Sequence, residues 1–186
     1  MTASLKEKLE RNIWVTRKCR INASERLLST AKYIETLNVC YSIFVILLSM
    51  LSLKENNDQI SFTGLTSSIV LTILIIYANA TNFRERSSAL KQNYINLQLL
   101  LDRLTNIEAS DVDAIMEVDE KYAELLKTSE NHIDMDMYKL KSSASDPDLT
   151  MTRKEKVLWR GYTAWNYLWK SVLIVAPIVV IICLYL

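Results

Sequence analysis

Glycine and proline are almost missing from this chain, with 2 of each in 186 residues. An ordinary domain carries glycine at about 7%. The scarcity therefore excludes β-sandwiches, β-barrels and glycine-rich phosphate loops, which all depend on tight turns. Histidine is rarer still, with His132 alone. A histidine-rich metal centre is thus excluded, and a Ser-His-Asp arrangement would rest on that single side chain. Excess charge of either sign is lacking too: 22 Lys and Arg face 21 Asp and Glu, a net charge of +1. That balance argues against a general affinity for nucleic acid. Cys19, Cys40 and Cys183 share no C-x-x-C spacing and read as free thiols in a reducing compartment.

What is present is unevenly spread. Mean hydropathy is +0.09, an ordinary value for a soluble protein, yet ionisable acids and bases vanish in three windows. Leu37 to Leu53 reads LNVCYSIFVILLSMLSL, Gln59 to Phe83 is centred on Ile69 to Tyr77, and Ser171 to Leu186 reads SVLIVAPIVVIICLYL. A membrane-spanning helix needs about 20 mostly apolar residues, within a range of about 17 to 25. Each window meets that length once its flanks are counted, and the remainder of so small a chain could not bury all three. The first apolar run begins too late for a cleaved signal peptide.

Flanking charge orients the spans. Eight basic residues precede the first: Lys6, Lys8, Arg11, Arg17, Lys18, Arg20, Arg26 and Lys32. Arg84, Arg86 and Lys91 follow the second, whereas the intervening Lys54-Glu-Asn-Asn-Asp58 carries one Lys. The positive-inside rule puts the N-terminus and the segment after span two in the cytoplasm, with 54–58 as a short external turn. Span three then carries the C-terminus outward. Trp159, Trp165 and Trp169, with Tyr162, Tyr167, Arg160 and Lys170, have the composition of a membrane-interface anchor.

The expected architecture is an all-α membrane protein, a two-helix transmembrane hairpin with long cytosolic extensions and a third C-terminal span. Its divisions are an N-terminal cytosolic helix (1–36), span one (37–53), span two (60–81), a cytosolic helical hairpin (82–141), a linker (142–152), a Trp-rich interfacial helix (153–170) and span three (171–186). Capping-box patterns stand at Ser4–Glu7 and Thr152–Glu155, with Ser110 and Asp113 as a further cap. Leu90, Tyr94, Leu97, Leu101 and Leu104 form an a/d seam. Ile115, Val118, Tyr122, Leu125, Ser129, Ile133 and Met137 continue at helical spacing. Residues 102–136 hold eleven acids against Arg103, Lys121 and Lys127, a solvated face that disfavours phosphates.

Chemistry is sparse. His132, beside Asn131 and Asp134 and with Asp136 following, has the residue types of a general base or ligand. A metal centre would need a second ligand cluster, which the cysteines do not supply. No enzyme activity, cofactor or metal is expected, and a polar structural contact is the reading of this cluster. The spans are more informative. Gly64, Ser68 and Thr72 recur every four residues in span two, with Asn79 beyond, and Asn38, Ser42 and Ser49 line span one. Small residues let helices approach closely in lipid. The stripe either packs span one on span two or lines a watery path after oligomerisation. No span contains Asp, Glu, Lys or Arg, so a proton relay lacks its usual charges.

The ordered set Arg20-x-x-Ala-x-x-Arg-Leu, Asn38 to Ser49, Asn82-Phe-Arg-Glu-Arg-x-x-x-Leu-Lys91, Tyr122-Ala-Glu-Leu-Leu and Asn131-His132-x-Asp134 resembles the SLATT family of prokaryotic membrane effectors, named for association with SMODS and SLOG domains. The resemblance covers about residues 10 to 170, with the third span an addition to a two-span core. It implies an anti-phage, abortive-infection effector in the inner membrane. Such an effector would oligomerise and form a pore or disrupt the bilayer when triggered. The implied operon partner is a nucleotide-second-messenger synthase or a reverse transcriptase. Two other readings stand beside it, a membrane scaffold recruiting a cytosolic defence enzyme and an enzyme centred on His132.

Overall fold

The computed structural model describes residues 2–55, 58–144 and 146–185. The described residues form six α-helices and no strand: α1 (Thr2–Glu55), α2 (Asp58–Thr81), α3 (Phe83–Thr105), α4 (Val112–Lys127), α5 (Asp134–Ser143) and α6 (Arg153–Tyr185), with a 3-10 turn at Pro147–Leu149. Three helical stretches, Leu5–Lys54, Asp58–Thr105 and Arg153–Cys183, are long and apolar enough to cross a membrane. The chain is an all-α membrane protein. The cap expected at Ser4 and the middle of the turn expected at 54–58 lie outside the described side chains.

The chain divides into two compact units. One comprises Met1–Leu28 and Arg84–Trp159, the other Ser29–Phe83 and Arg160–Leu186; we call them the polar unit and the membrane unit.

In the polar unit, the first part of α1 lies antiparallel to α3. Lys6 Nζ donates to the Thr105 carbonyl at 3.2 Å, and Ser24 meets Ser87 at the opposite end. Leu9, Ile13, Leu97, Leu100, Leu104, Ile115 and Val118 form its apolar core. Burying each such side chain contributes about 1.5–3 kcal/mol. The α3 seam sits slightly off the expected one: Ser87, Leu90, Asn93, Leu97, Leu100 and Leu104 are buried, and Tyr94 and Leu101 lie at its margin. Asn93 is inside because it accepts from Arg20 and donates to the Leu125 carbonyl, pairings that hydropathy cannot register.

Two local features depart from expectation for identifiable reasons. Asp111, rather than Ser110, caps α4, accepting from the Ala114 N–H at 3.0 Å. The helical spacing from Ile115 to Met137 is also interrupted, since α4 stops at Lys127 and α5 starts at Asp134. Arg20 and Asn93 occupy the Leu125 carbonyl, which a continuing α4 would offer to residue 129. Asp136 then starts α5 by accepting from the Ile133 N–H at 3.0 Å. At the head of α6 the Thr152–Glu155 capping box is formed reciprocally, at 2.7 and 3.3 Å.

In the membrane unit, Phe44, Leu48 and Ile60 make a small core against which Leu51, Val180 and Ile181 pack. Tyr33 bonds to Lys170 and Tyr41 to Leu173, so α1 and α6 run parallel within this unit. Asn82 closes α2 with φ of 46°, a left-handed conformation that asparagine tolerates better than most residues.

Candidate functional site

The polar unit is built around a buried arginine. Arg20, with none of its surface exposed, lies on the inner face of α1 between Ile13 and Leu27. Its Nη1 donates to Asn93 Oδ1 and, at 3.0 Å, to the Leu125 carbonyl; Nη2 donates to the Leu126 carbonyl at 3.5 Å. Asn93 Nδ2 donates to the same Leu125 carbonyl at 2.9 Å. Among the described residues no carboxylate pairs with the guanidinium, and burial holds its pKa below the usual arginine value, opposed in part by Tyr122. The balance comes from the end of α4, where carbonyls without helical partners carry the negative end of the helix dipole. Arg20 therefore acts as a side-chain cap for α4.

A second ionic contact follows two turns along α1. Arg26 donates Nε to Asp136 Oδ1 at 2.9 Å and Nη2 to Oδ2 at 3.0 Å, a bidentate pair. The Asp136 side chain is 3% exposed, and Asn22 Nδ2 donates to the Asp136 carbonyl at 2.9 Å. Cys19 lies beside Met137, with sulfur atoms 3.8 Å apart. Burial, with Asp136 adding to it, pushes the Cys19 thiol up to about 12, so it stays protonated. Ser24 and Ser87 exchange hydrogen bonds, each hydroxyl donating to the other's carbonyl at 2.9 and 2.8 Å.

The motif expected on the cytosolic side, Tyr122, Asn131, His132 and Asp134, divides between this interior and solvent. Tyr122 shares a hydrogen bond with Thr16 Oγ1 at 2.7 Å. His132 is half-buried, and its Nδ1 has no hydrogen-bond partner among the described residues. Burial pulls its pKa below the ordinary histidine value; Asp136 and Asp134 oppose that shift and Arg20 adds to it. Asn131 and Asp134 are exposed. The motif residues are thus not gathered into one centre. Among the described residues no group of three or more His, Cys, Asp or Glu side chains could hold a metal ion.

In the membrane unit the expected stripe also divides. Gly64 is buried against α1, and a Cβ built there would lie 3.7 Å from Leu48 Cβ. Asn38, Ser42 and Ser68 are half-buried, whereas Ser49, Thr72 and Asn79 are exposed. The hydroxyls bond within their own helices: Ser42 to the Asn38 carbonyl at 2.7 Å, Ser49 to Val45 at 2.9 Å, Ser68 to Leu65 at 2.8 Å and Thr72 to Ser68 at 2.9 Å. Such a bond satisfies a hydroxyl in hydrocarbon without tying two helices together. Ser52 and Ser61, 2.5 Å apart, do join α1 to α2.

Among the expected anchors, Trp169 packs edge-on against Tyr33 with ring centroids 5.4 Å apart, and Lys170 Nζ lies 5.2 Å from the Tyr33 ring. Trp165 is exposed, and Trp159 is half-buried in the polar unit. What sequence reasoning missed are Asn93, Ser24, Ser87, the buried capping role of Arg20 and the pairing of Arg26 with Asp136. Their one available signal was position, since each falls on a helix face otherwise filled by apolar residues.

Membrane-length helices together with a polar helical unit, keyed by buried arginine and asparagine, define a helical membrane protein with a structured extramembrane part. The chain belongs to the SMODS and SLOG-associating 2TM effector domain family 5, which it matches over residues 2–183. It is a membrane effector of that family. The family description counts two transmembrane segments, and the matched region here includes a third helix able to span. No curated protein and no solved structure matches the chain.

Proposed function

We propose that this protein is an effector of anti-phage defence that assembles from several copies in the inner membrane and permeabilises it when a partner signals infection. One observation carries this reading. Ser49, Thr72 and Asn79 lie exposed within mostly apolar stretches long enough to span a membrane. Because the Ser49 and Thr72 hydroxyls are satisfied by their own helices, these faces can rest in lipid at low cost. On assembly the same faces can line a watery path. The reaction class is transport across a breached bilayer, with no bond-making step.

The polar unit is the receiver in this scheme. Its partner is the product of a nucleotide-second-messenger synthase or a protein of the same operon, in keeping with the SMODS and SLOG association in the family description. A signal shifts the resting and assembled states only through its different affinity for them. The spans run N-terminus in and C-terminus out, which fits the parallel course of α1 and α6 within the membrane unit.

The test is co-expression with the operon partner under activation, following membrane potential with a voltage-sensitive dye alongside growth. Collapse of potential before growth arrest is expected, and Thr72→Leu with Ser68→Leu should abolish it while the protein still inserts. A steady potential on activation sinks the reading. If unrelated spans can replace 37–53 and 60–81 without loss, the chain is a scaffold for a cytosolic enzyme instead.

A further inference from the structure

α6 continues as a helix through Pro177. Proline has no N–H, so the carbonyl four residues earlier, that of Leu173, loses its helical donor, and the ring crowds that carbonyl away from the axis. In water the deficit would be filled by solvent. Inside hydrocarbon a bare carbonyl is costly, and a donor from a neighbouring helix is one way to satisfy it. The structure contains one. Tyr41, on α1, donates its hydroxyl to the Leu173 carbonyl at 2.8 Å.

We propose that Tyr41 is a latch that replaces the hydrogen bond Pro177 deletes, making the third span an obligate part of the membrane unit. The pairing sits in the register that packs Val180 and Ile181 onto Phe44, Leu48 and Ile60. Separating α6 from α1 would therefore strand the Leu173 carbonyl at the same moment that it opens this small core. Tyr33 provides an internal control. Its hydroxyl donates to the Lys170 carbonyl at 2.6 Å, but that carbonyl keeps its ordinary helical donor at residue 174, because residue 174 is not proline. The two tyrosines make similar bonds, and only that of Tyr41 answers a deficit.

The proposal is tested by a double-mutant cycle on the full-length protein in detergent micelles, with Trp14 and Trp159 replaced by Phe throughout so that Trp165 and Trp169 fluorescence follows the thermal midpoint of the membrane unit. Tyr41→Phe removes only the hydroxyl and should lower the midpoint by several degrees. Pro177→Ala restores the N–H, and in that background Tyr41→Phe should have little effect. Pro177→Leu repeats the cycle with a larger side chain in case alanine leaves a gap. Tyr33→Phe should shift the midpoint equally with proline, alanine or leucine at 177. Equal losses from Tyr41→Phe in all backgrounds would show a generic contact and overturn the latch, as would no loss in any of them.

Discussion

The two units handle polar groups in opposite ways. In the polar unit, hydrogen bonds run between helices: Arg20 reaches α3 and α4, Ser24 pairs with Ser87, and Arg26 clasps Asp136. Each such bond requires one register, and a slipped helix would leave a charge or carbonyl buried without a partner. In the membrane unit, Ser42, Ser49, Thr63, Thr66 and Thr72 bond to carbonyls four residues back on the same helix. Those bonds survive sliding or rotation of a whole helix. Among the described residues its helices meet through a small apolar core, the Ser52–Ser61 contact, the two tyrosine hydroxyls and the Tyr33–Trp169 ring pair, with no buried ion pair or buried amide setting the register. The polar unit is thus specified, and the membrane unit is loosely committed. That difference suits the proposed function, in which a receiver of fixed structure is joined to spans that would repack.

The contrast is broken most severely at Arg20. Arg20→Leu removes the cost of burying a guanidinium but leaves Asn93 Oδ1 and the Leu126 carbonyl without their donor. At about 1–3 kcal/mol for each buried group left unpaired, the loss outweighs the relief. Denaturant unfolding of the polar unit should show a clear drop in stability, with Arg20→Lys intermediate because an ammonium lacks the planar fork. Next in size comes Asp136→Asn, which strips the charge from a nearly buried bidentate pair. A loss of about 1.5–3 kcal/mol is expected from the charge-assisted bonds, and Asp136→Asn combined with Arg26→Met should recover part of it. Neither change touches the membrane unit, whose tyrosine latch should respond unchanged.

The same contrast explains what could be read in advance. Long uncharged windows announced the spans because nothing in lipid competes with the backbone's own hydrogen bonds, so composition and length decide the outcome. The Thr152–Glu155 cap was legible because both partners lie within one turn. Arg20 was not, since its partners are the Asn93 side chain on α3 and two main-chain carbonyls more than a hundred residues away. A lone arginine amid basic residues reads as a surface charge. The break between α4 and α5 was hidden for a related reason: apolar spacing continues through Ile133 and Met137, while the carbonyls that would carry the helix are taken by residues on other helices. The transmembrane stripe was visible as a pattern, but its division into a buried Gly64 and an exposed Thr72 depends on where α1 and α6 lie.

A smaller effect sharpens the comparison through pH. Burial holds the His132 pKa below its usual 6.5, with Asp136 and Asp134 opposing and Arg20 adding to the shift. As pH falls below that value, the unfolded chain binds a proton that the folded unit resists, so the polar unit loses stability toward pH 5. Above pH 7 neither state binds it, and stability should be flat through this residue. His132→Gln should reduce the acid-side loss when unfolding is followed between pH 5 and 8. The proposed tyrosine latch, whose phenol does not change charge between pH 5 and 8, should give the same midpoint shift across that range.

The finest test sets the two glycines against each other. A Cβ at Gly64 would meet Leu48 Cβ at 3.7 Å, an ordinary contact, whereas at Gly161 it would meet nothing within 4 Å. Both sit inside helices, where alanine is favoured over glycine by about 1 kcal/mol or less. Gly161→Ala should therefore raise the thermal midpoint slightly, by backbone entropy alone. Gly64→Ala should do the same or be neutral if the α1–α2 contact is as loosely committed as the membrane unit's hydrogen bonds indicate. A marked loss of stability at Gly64→Ala alone would show that the spans are packed to tolerances as tight as those of the polar unit, and the contrast between the two units would fail at that point.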